Sequence, residues 1–209
     1  MKFTCGSGSL MEAINIVQKA VTTKSTMEIL EGILIEAYND EIKFTTNDLE
    51  IAIEYKIDAN VINEGTALIS ARTFGDVIKK MPSGEVIFEM DNSGVAKVDS
   101  NSSHYDLKTM DPSGFPKLNK IKEDEEKKSF TLQQDILREM IRQTVFAVSD
   151  DENRPIFQGV FVEKNGKDIN FVAIDGSKLA LRKEIVDGED NGDSLSCIIP
   201  GKTLNEVSK

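Results

Sequence analysis

The chain has 209 residues, 39% of them hydrophobic and 29% charged, with a formal net charge of −11, an ordinary globular composition long enough for one large domain or two small ones. No apolar run approaches the roughly 18–20 residues of a membrane-spanning helix, and Met1-Lys2-Phe3-Thr4 has no secretory apolar core behind it, so a cytoplasmic protein without a membrane partner is predicted. The acidic excess, 36 Asp and Glu against 25 Lys and Arg, excludes a uniformly basic nucleic-acid-binding surface, although not a basic face on one side.

Lys2–Cys5 reads as a short strand. Ser9-x-x-Glu12 has the spacing of a capping box, and Leu10, Ile14, Val17 and Val21 recur on one face of the helix it would open. Gly32–Tyr38, Glu41–Thr46 and Leu49–Ile57 read as strands, the last alternating Ile51, Ile53 and Tyr55 against Glu50, Ala52 and Glu54. After the strand Thr66–Ile69, Ser70 is placed to cap a helix through Lys80, with Phe74, Val77, Ile78 and Met81 inward and Met81-Pro82-Ser83-Gly84 as its stop. Glu85–Met90, Gly94–Ser100 and Tyr105–Met110 form a three-strand meander. The acidic and basic run Asn119–Ser129 is a solvated linker without apolar periodicity.

A repeat organises the rest of the chain. Ile29-Leu30-Glu31-Gly32-Ile33-Leu34-Ile35-Glu36 reappears as Ile156-Phe157-Gln158-Gly159-Val160-Phe161-Val162-Glu163, so that Gly159 follows Gly32 by 159 − 32 = 127 positions. Phe3-Thr4 and Phe130-Thr131 share that offset, as do Asp48-Leu49 and Asp175-Gly176; Arg72 and Lys202 stand 130 apart, with the difference assigned to the polar loop Val186–Ser194. The chain is therefore read as a tandem duplication of an α+β domain, two helices packed on antiparallel sheet: a first domain 1–118, a linker 119–129 and a second domain 130–209. The second helix of the second copy ends near Lys209, the counterpart of Lys79, and nothing corresponds to the meander. The second domain is thus expected to be incomplete, with an unpaired strand edge and uncovered apolar surface.

Catalytic material is sparse. His104 is the single histidine, which leaves little for a triad or a zinc cluster. Asp150-Asp151-Glu152 lacks metal-loop spacing, and Gly6-Ser7-Gly8-Ser9 lacks the Lys-Ser/Thr of a phosphate loop. Cys5 and Cys197 read as small buried hydrophobes, without disulfide or metal-ligand spacing. No metal or cofactor is expected, and the chain is read as non-catalytic.

Met-Lys-Phe-Thr at the start, Ile29-Leu30-x-Gly32, Thr45-x-x-Asp48-Leu49-Glu50, Ser70-Ala71-Arg72-x-Phe74, Phe115-Pro116-x-Leu118 and Ala173-x-Asp175-Gly176-x-x-Leu179-Ala180 together resemble the bacterial sliding clamp family, the β subunit of DNA polymerase III. The resemblance covers the whole chain and implies three such domains per subunit, the third absent here. Two subunits would close a ring around duplex DNA and tether the replicative polymerase by topology. It places Lys24, Arg72, Lys79, Lys80, Arg138, Arg142 and Lys202 towards the DNA in loose, sequence-independent phosphate contacts. It also implies a groove at Arg154, Phe157, Ile174, Gly176, Ser177, Lys178 and Leu179 for the clamp-binding peptides of the polymerase α subunit and the clamp loader. The family often has His-Arg where this chain has Ser177-Lys178. Tyr105 and Leu107 would lie at the homodimer interface. A duplicated protein-interaction scaffold with no DNA role is the alternative, and it would scatter the basic residues over all faces.

Overall fold

Phe3 and Cys5 alternate with Lys2 and Thr4 and make the first strand, β1 (Lys2–Gly6), of a computed structural model. Residues 1–22, 27–91, 93–116, 118, 129–151, 153–186 and 194–209 are described. The chain divides into two units, Met1–Asn119 and Lys120–Lys209. Most of the expected linker, residues 119–128, and most of the expected loop, residues 187–193, lie outside the described residues.

In unit 1, β1 is followed by α1 (Ser7–Val17), β2 (Gly32–Tyr38), β3 (Glu41–Asn47), β4 (Ala52–Asp58), β5 (Asn60–Asn63), β6 (Gly65–Ser70), α2 (Ala71–Lys80), β7 (Glu85–Met90), β8 (Val95–Ser100) and β9 (Ser103–Met110). Every pairing is antiparallel, in the order β4-β3-β2-β6-β9-β8-β7-β1-β5. The two edge strands are joined through Ala59 alone, so the sheet curves back on itself. Its inner face and the two helices enclose a core in which the Phe3 and Phe88 rings stack at 4.8 Å and the Phe74 ring meets Phe88 edge-on at 6.4 Å. Ser70 caps α2 as expected, its Oγ accepting from Thr73 N at 3.4 Å. Thr46, fully buried at the end of β3, donates from Oγ1 to the Val17 carbonyl at 2.5 Å and ties the end of α1 to the sheet.

Two expectations for unit 1 are corrected. Ser9 does not cap α1. The helix starts at Ser7 directly from Gly6, without a side-chain cap, because Ser7 N donates to Gly84 O at 2.8 Å and Ser7 Oγ accepts from Gly84 N at 3.1 Å. These bonds anchor the first turn to the loop before β7. The strand expected from Leu49 begins at Ala52, since Leu49 occupies the tight turn with φ +75°. The short strand β5, with its Asn-Val-Ile-Asn sequence, is an element that the residue pattern does not predict.

Unit 2 repeats the first half of this plan with α3 (Gln134–Arg142), β10 (Gly159–Asn165), β11 (Asp168–Ile174), β12 (Leu179–Ile185), β13 (Ser194–Pro200) and α4 (Gly201–Val207). The order β12-β11-β10-β13 is that of β4-β3-β2-β6. The registers also correspond: Leu34 pairs with Thr45 and Leu68, and Phe161 pairs with Val172 and Ile198. The fold is α+β, built from tandem units of helices on antiparallel sheet. Met140, Ile141, Val160, Val162, Ile169, Phe171, Ala173 and Leu204 form the second core.

Among the described residues β13 pairs with β10 alone. An apolar cleft of about 590 Å³ opens beside it, with Phe130, Leu132, Ile141, Phe171, Cys197 and Leu204 in its walls. Cys197 therefore departs from the buried reading. Its counterpart in unit 1, Ala67, is buried in the core, whereas the Cys197 thiol is exposed. Cys5 is buried, and desolvation, with Glu85 nearby, pushes its thiol up to about 12. Under native conditions one thiol, Cys197, is expected to react with a chromogenic disulfide reagent, and both after denaturation. Two fast thiols in the folded chain would contradict the burial of Cys5.

Candidate basic helix faces, partner groove and strand edge

The basic residues follow from the amphipathic pattern of the short helices. On α2, Ala71, Phe74, Val77 and Ile78 are buried, which leaves Arg72, Asp76, Lys79 and Lys80 exposed. Lys79 and Lys80 occupy the last turn, where the helix dipole favours cations. On α3, burial of Met140 and Ile141 leaves Arg138 and Arg142, four residues apart, on the exposed side with Asp135 and Glu139. Lys202 is exposed at the start of α4, which packs against α3. Among the described residues Arg72, Lys79, Lys80, Arg138 and Arg142 make no ion pair. Lys24 lies outside the described residues. In each unit the cations thus gather on the solvent side of helices whose other side closes the core.

The candidate groove is organised by the β11–β12 turn. The Asp175 carboxylate accepts from Lys178 N at 2.7 Å, Ser177 N at 2.8 Å and Ser177 Oγ at 2.9 Å, and Lys178 Nζ lies 3.0 Å away. The Lys178 and Ser177 amides hold its carboxyl well below the usual carboxylate range. Gly176 adopts φ +95° at the apex, the left-handed region that favours glycine. Lys178 Nζ also donates to the Phe146 carbonyl at 3.3 Å. Arg154 pairs with Asp151 at 3.5 Å and precedes a single turn, Pro155–Gln158, which is pinned where Ser149 N donates to Phe157 O at 2.8 Å. Phe157 and Ile174 are half-buried, Leu179 is exposed, and Arg154, Gly176, Ser177 and Lys178 are solvent-accessible. Phe146 and Ile156 are exposed beside these residues.

The depressed Asp175 pKa fixes a sign. A carboxylate with a folded pKa below its unfolded value of about 3.9 stabilises the fold above that pH and loses the contribution as pH falls through the folded value. The melting temperature of Asp175→Asn should therefore lie below that of the parent at neutral pH and converge on it in acid. A gap that widened on acidification would contradict the turn's electrostatics.

The third candidate behaves differently. Leu107 is buried in the core of unit 1, and Tyr105 is half-buried against it. Leu107 therefore packs inward within unit 1. What β9 leaves open is its backbone, since it pairs with β6 only at Thr109 and Met110. His104 lies opposite Asp99, with Nδ1 and Oδ1 2.7 Å apart.

Comparison with known proteins matches both units to one family. Residues 1–119 match the DNA polymerase III beta subunit, N-terminal domain, and residues 131–209 its central domain. The chain is 37% identical to the beta sliding clamp of Halalkalibacterium halodurans over 220 aligned residues, which span 100% of the chain and 57% of that relative. It is 36% identical to that of Bacillus subtilis, over 100% of the chain and 56% of the relative. The crystal structure of the DNA polymerase sliding clamp from Bacillus subtilis superposes with a TM-score of 0.90 at 35% identity, covering 100% of this chain and 56% of that one. The chain spans a little over half the length of these relatives. Matched along both of its units, the chain belongs to the DNA polymerase III beta-subunit family.

Proposed function

We propose that this chain forms part of a processivity factor that, as a closed dimeric ring, encircles duplex DNA and tethers a replicative polymerase without chemistry of its own. The observation that carries the reading is the placement of Arg72, Lys79, Lys80, Arg138, Arg142 and Lys202 on exposed helix faces, the first and last at equivalent helix starts of two repeated units. Contacts of this kind add affinity through counterion release, so binding weakens as salt rises and reads no sequence. Weak contacts suit a protein that slides.

In this reading residues 1–118 form the first clamp domain, 119–129 the linker and 130–209 the second domain, in a cytoplasmic protein. Clamp-binding peptides of the polymerase α subunit and the clamp loader dock at Arg154, Phe157, Ile174, Gly176, Ser177, Lys178 and Leu179, and β9 around Tyr105 and Leu107 contributes to the homodimer contact.

The test uses a clamp-length protein containing these residues, loaded on circular and on linear duplex DNA. Retention on circles with rapid loss from linear ends is expected, together with faster loss at raised salt when Arg138 and Arg142 are changed to glutamate. Equal, fast loss from both DNA forms would overturn topological tethering.

A further inference from the structure

Helix α2 carries a charge pattern that its own stability does not explain. Arg72, Asp76 and Lys79 stand four and three residues apart, so cation, carboxylate and cation form one stripe along the exposed side. Asp76 sits at mid-helix, beyond the first turn where the dipole favours a carboxylate. Its neighbours are within reach, yet Arg72, Asp76 and Lys79 make no ion pair among the described residues.

The stripe returns in unit 2. At the offset that relates Arg72 to Lys202, Asp76 corresponds to Glu206 and Lys79 to Lys209. Arginine has become lysine and aspartate glutamate, but the order of signs is unchanged. The longer glutamate pairs with Lys209, whereas aspartate, one methylene shorter, leaves the cations of unit 1 exposed. Helix α3 mixes its charges too. Asp135 accepts from the Ile136 amide at 2.9 Å in the first turn, which accounts for it. Glu139 stands between Arg138 and Arg142 without an ion pair among the described residues. A surface built for the tightest hold on a polyanion would omit such carboxylates, because each repels the phosphate that its neighbours attract.

We infer that Asp76 limits the grip of the helix on DNA. Its carboxylate holds the Arg72–Lys79 stripe at one net positive charge where the cations alone would make two, so that the ring passes along the phosphates without being held at any of them. The inference rests on the DNA-encircling reading proposed above and adds a residue whose effect is opposite in sign to that of the cations.

The test follows single labelled rings of a clamp-length protein containing these residues as they diffuse on stretched duplex DNA at several salt concentrations. Asp76→Asn should slow diffusion about two- to fivefold at low salt, the effect of one exposed charge, and the difference should shrink as salt rises. Asp76→Glu, which keeps the charge, should diffuse as the parent does, and Arg72→Gln should diffuse faster. Asp76 is exposed, so thermal melts of its variants should match the parent. Unchanged or faster diffusion of Asp76→Asn, with Arg72→Gln still faster than the parent, would overturn the inference and leave the DNA-facing reading standing. Slowing that persists at high salt, or that Asp76→Glu shares, would overturn it by removing the charge as the cause. Indifference to Arg72→Gln would overturn the DNA-facing reading, and the inference with it.

Discussion

Replacing Phe88 with alanine is expected to destabilise unit 1 by about 3–5 kcal/mol, the range for removing a large aromatic from a packed core. The Phe88 ring is 1% exposed, lies nearly parallel to Phe3 (3° between planes) and receives the edge of Phe74. These rings come from β7, β1 and α2, so the cavity would loosen the place where the first strand meets the second helix and the strand that follows it. A domain stable by about 5–15 kcal/mol loses a large part of its margin in this way. Chemical denaturation should show an early transition for unit 1, reported by the Cys5 thiol becoming reactive at lower denaturant than in the parent. A shift below about 1 kcal/mol would mean that the three rings are not a cooperative core.

The second large effect is expected at Gly159. A Cβ there would collide with Ile198 Cγ2 and come within 2.9 Å of the Ile199 carbonyl oxygen. A backbone atom in a paired strand cannot step aside, so Gly159→Ala should cost about 1–3 kcal/mol through overpacking and local loss of the β10–β13 ladder. The equivalent Gly32 differs in kind. Its Cβ would meet the tip of Leu68, Cδ1 at 2.7 Å, and Met110 Cε at 2.8 Å, both ends of flexible side chains. Gly32→Ala should therefore be the milder of the two, and a thermal-melt ranking in the reverse order would contradict the distinction. The repeated glycine thus has a packing cause: the side chain of the neighbouring strand, Leu68 or Ile198, lies across it.

Much of the fold was legible because its signals are periodic. The 127-residue offset found from Gly32 and Gly159 returns as identical strand orders and registers, and Ala71 and Gly201 begin equivalent helices. What was not legible depended on tertiary partners. Ser9 has the spacing of a cap, but the bonds between Ser7 and Gly84 settle where the helix starts. Strand β5 exists because β1 offers it an edge, which Asn60–Asn63 does not advertise. Cys197 looks as apolar as Cys5, and only the neighbouring layer distinguishes them. At the candidate sites, the exposed positions of Arg72, Lys79, Arg138 and Arg142 follow from helical spacing alone. The inward turn of Leu107 and the outward placement of Phe146 and Ile156 do not, because a side chain's apolar character does not say which face of its element is covered.

The Asp-containing turns act as register locks. Asp48 accepts from Glu50 N at 3.1 Å and Ile51 N at 2.8 Å, and Asp175 accepts from the amides at the same two offsets. The loops they close are equal in length, between the pairs Asn47–Ala52 and Ile174–Leu179. One apex is leucine and the other glycine, yet both hold positive φ, so the geometry is imposed by the carboxylate and the flanking strands. A slip of one residue would turn every side chain of a strand to the opposite face, carrying Phe44 and Phe171 out of their cores. From the surface, two aspartates thus decide which residues of each hairpin become interior.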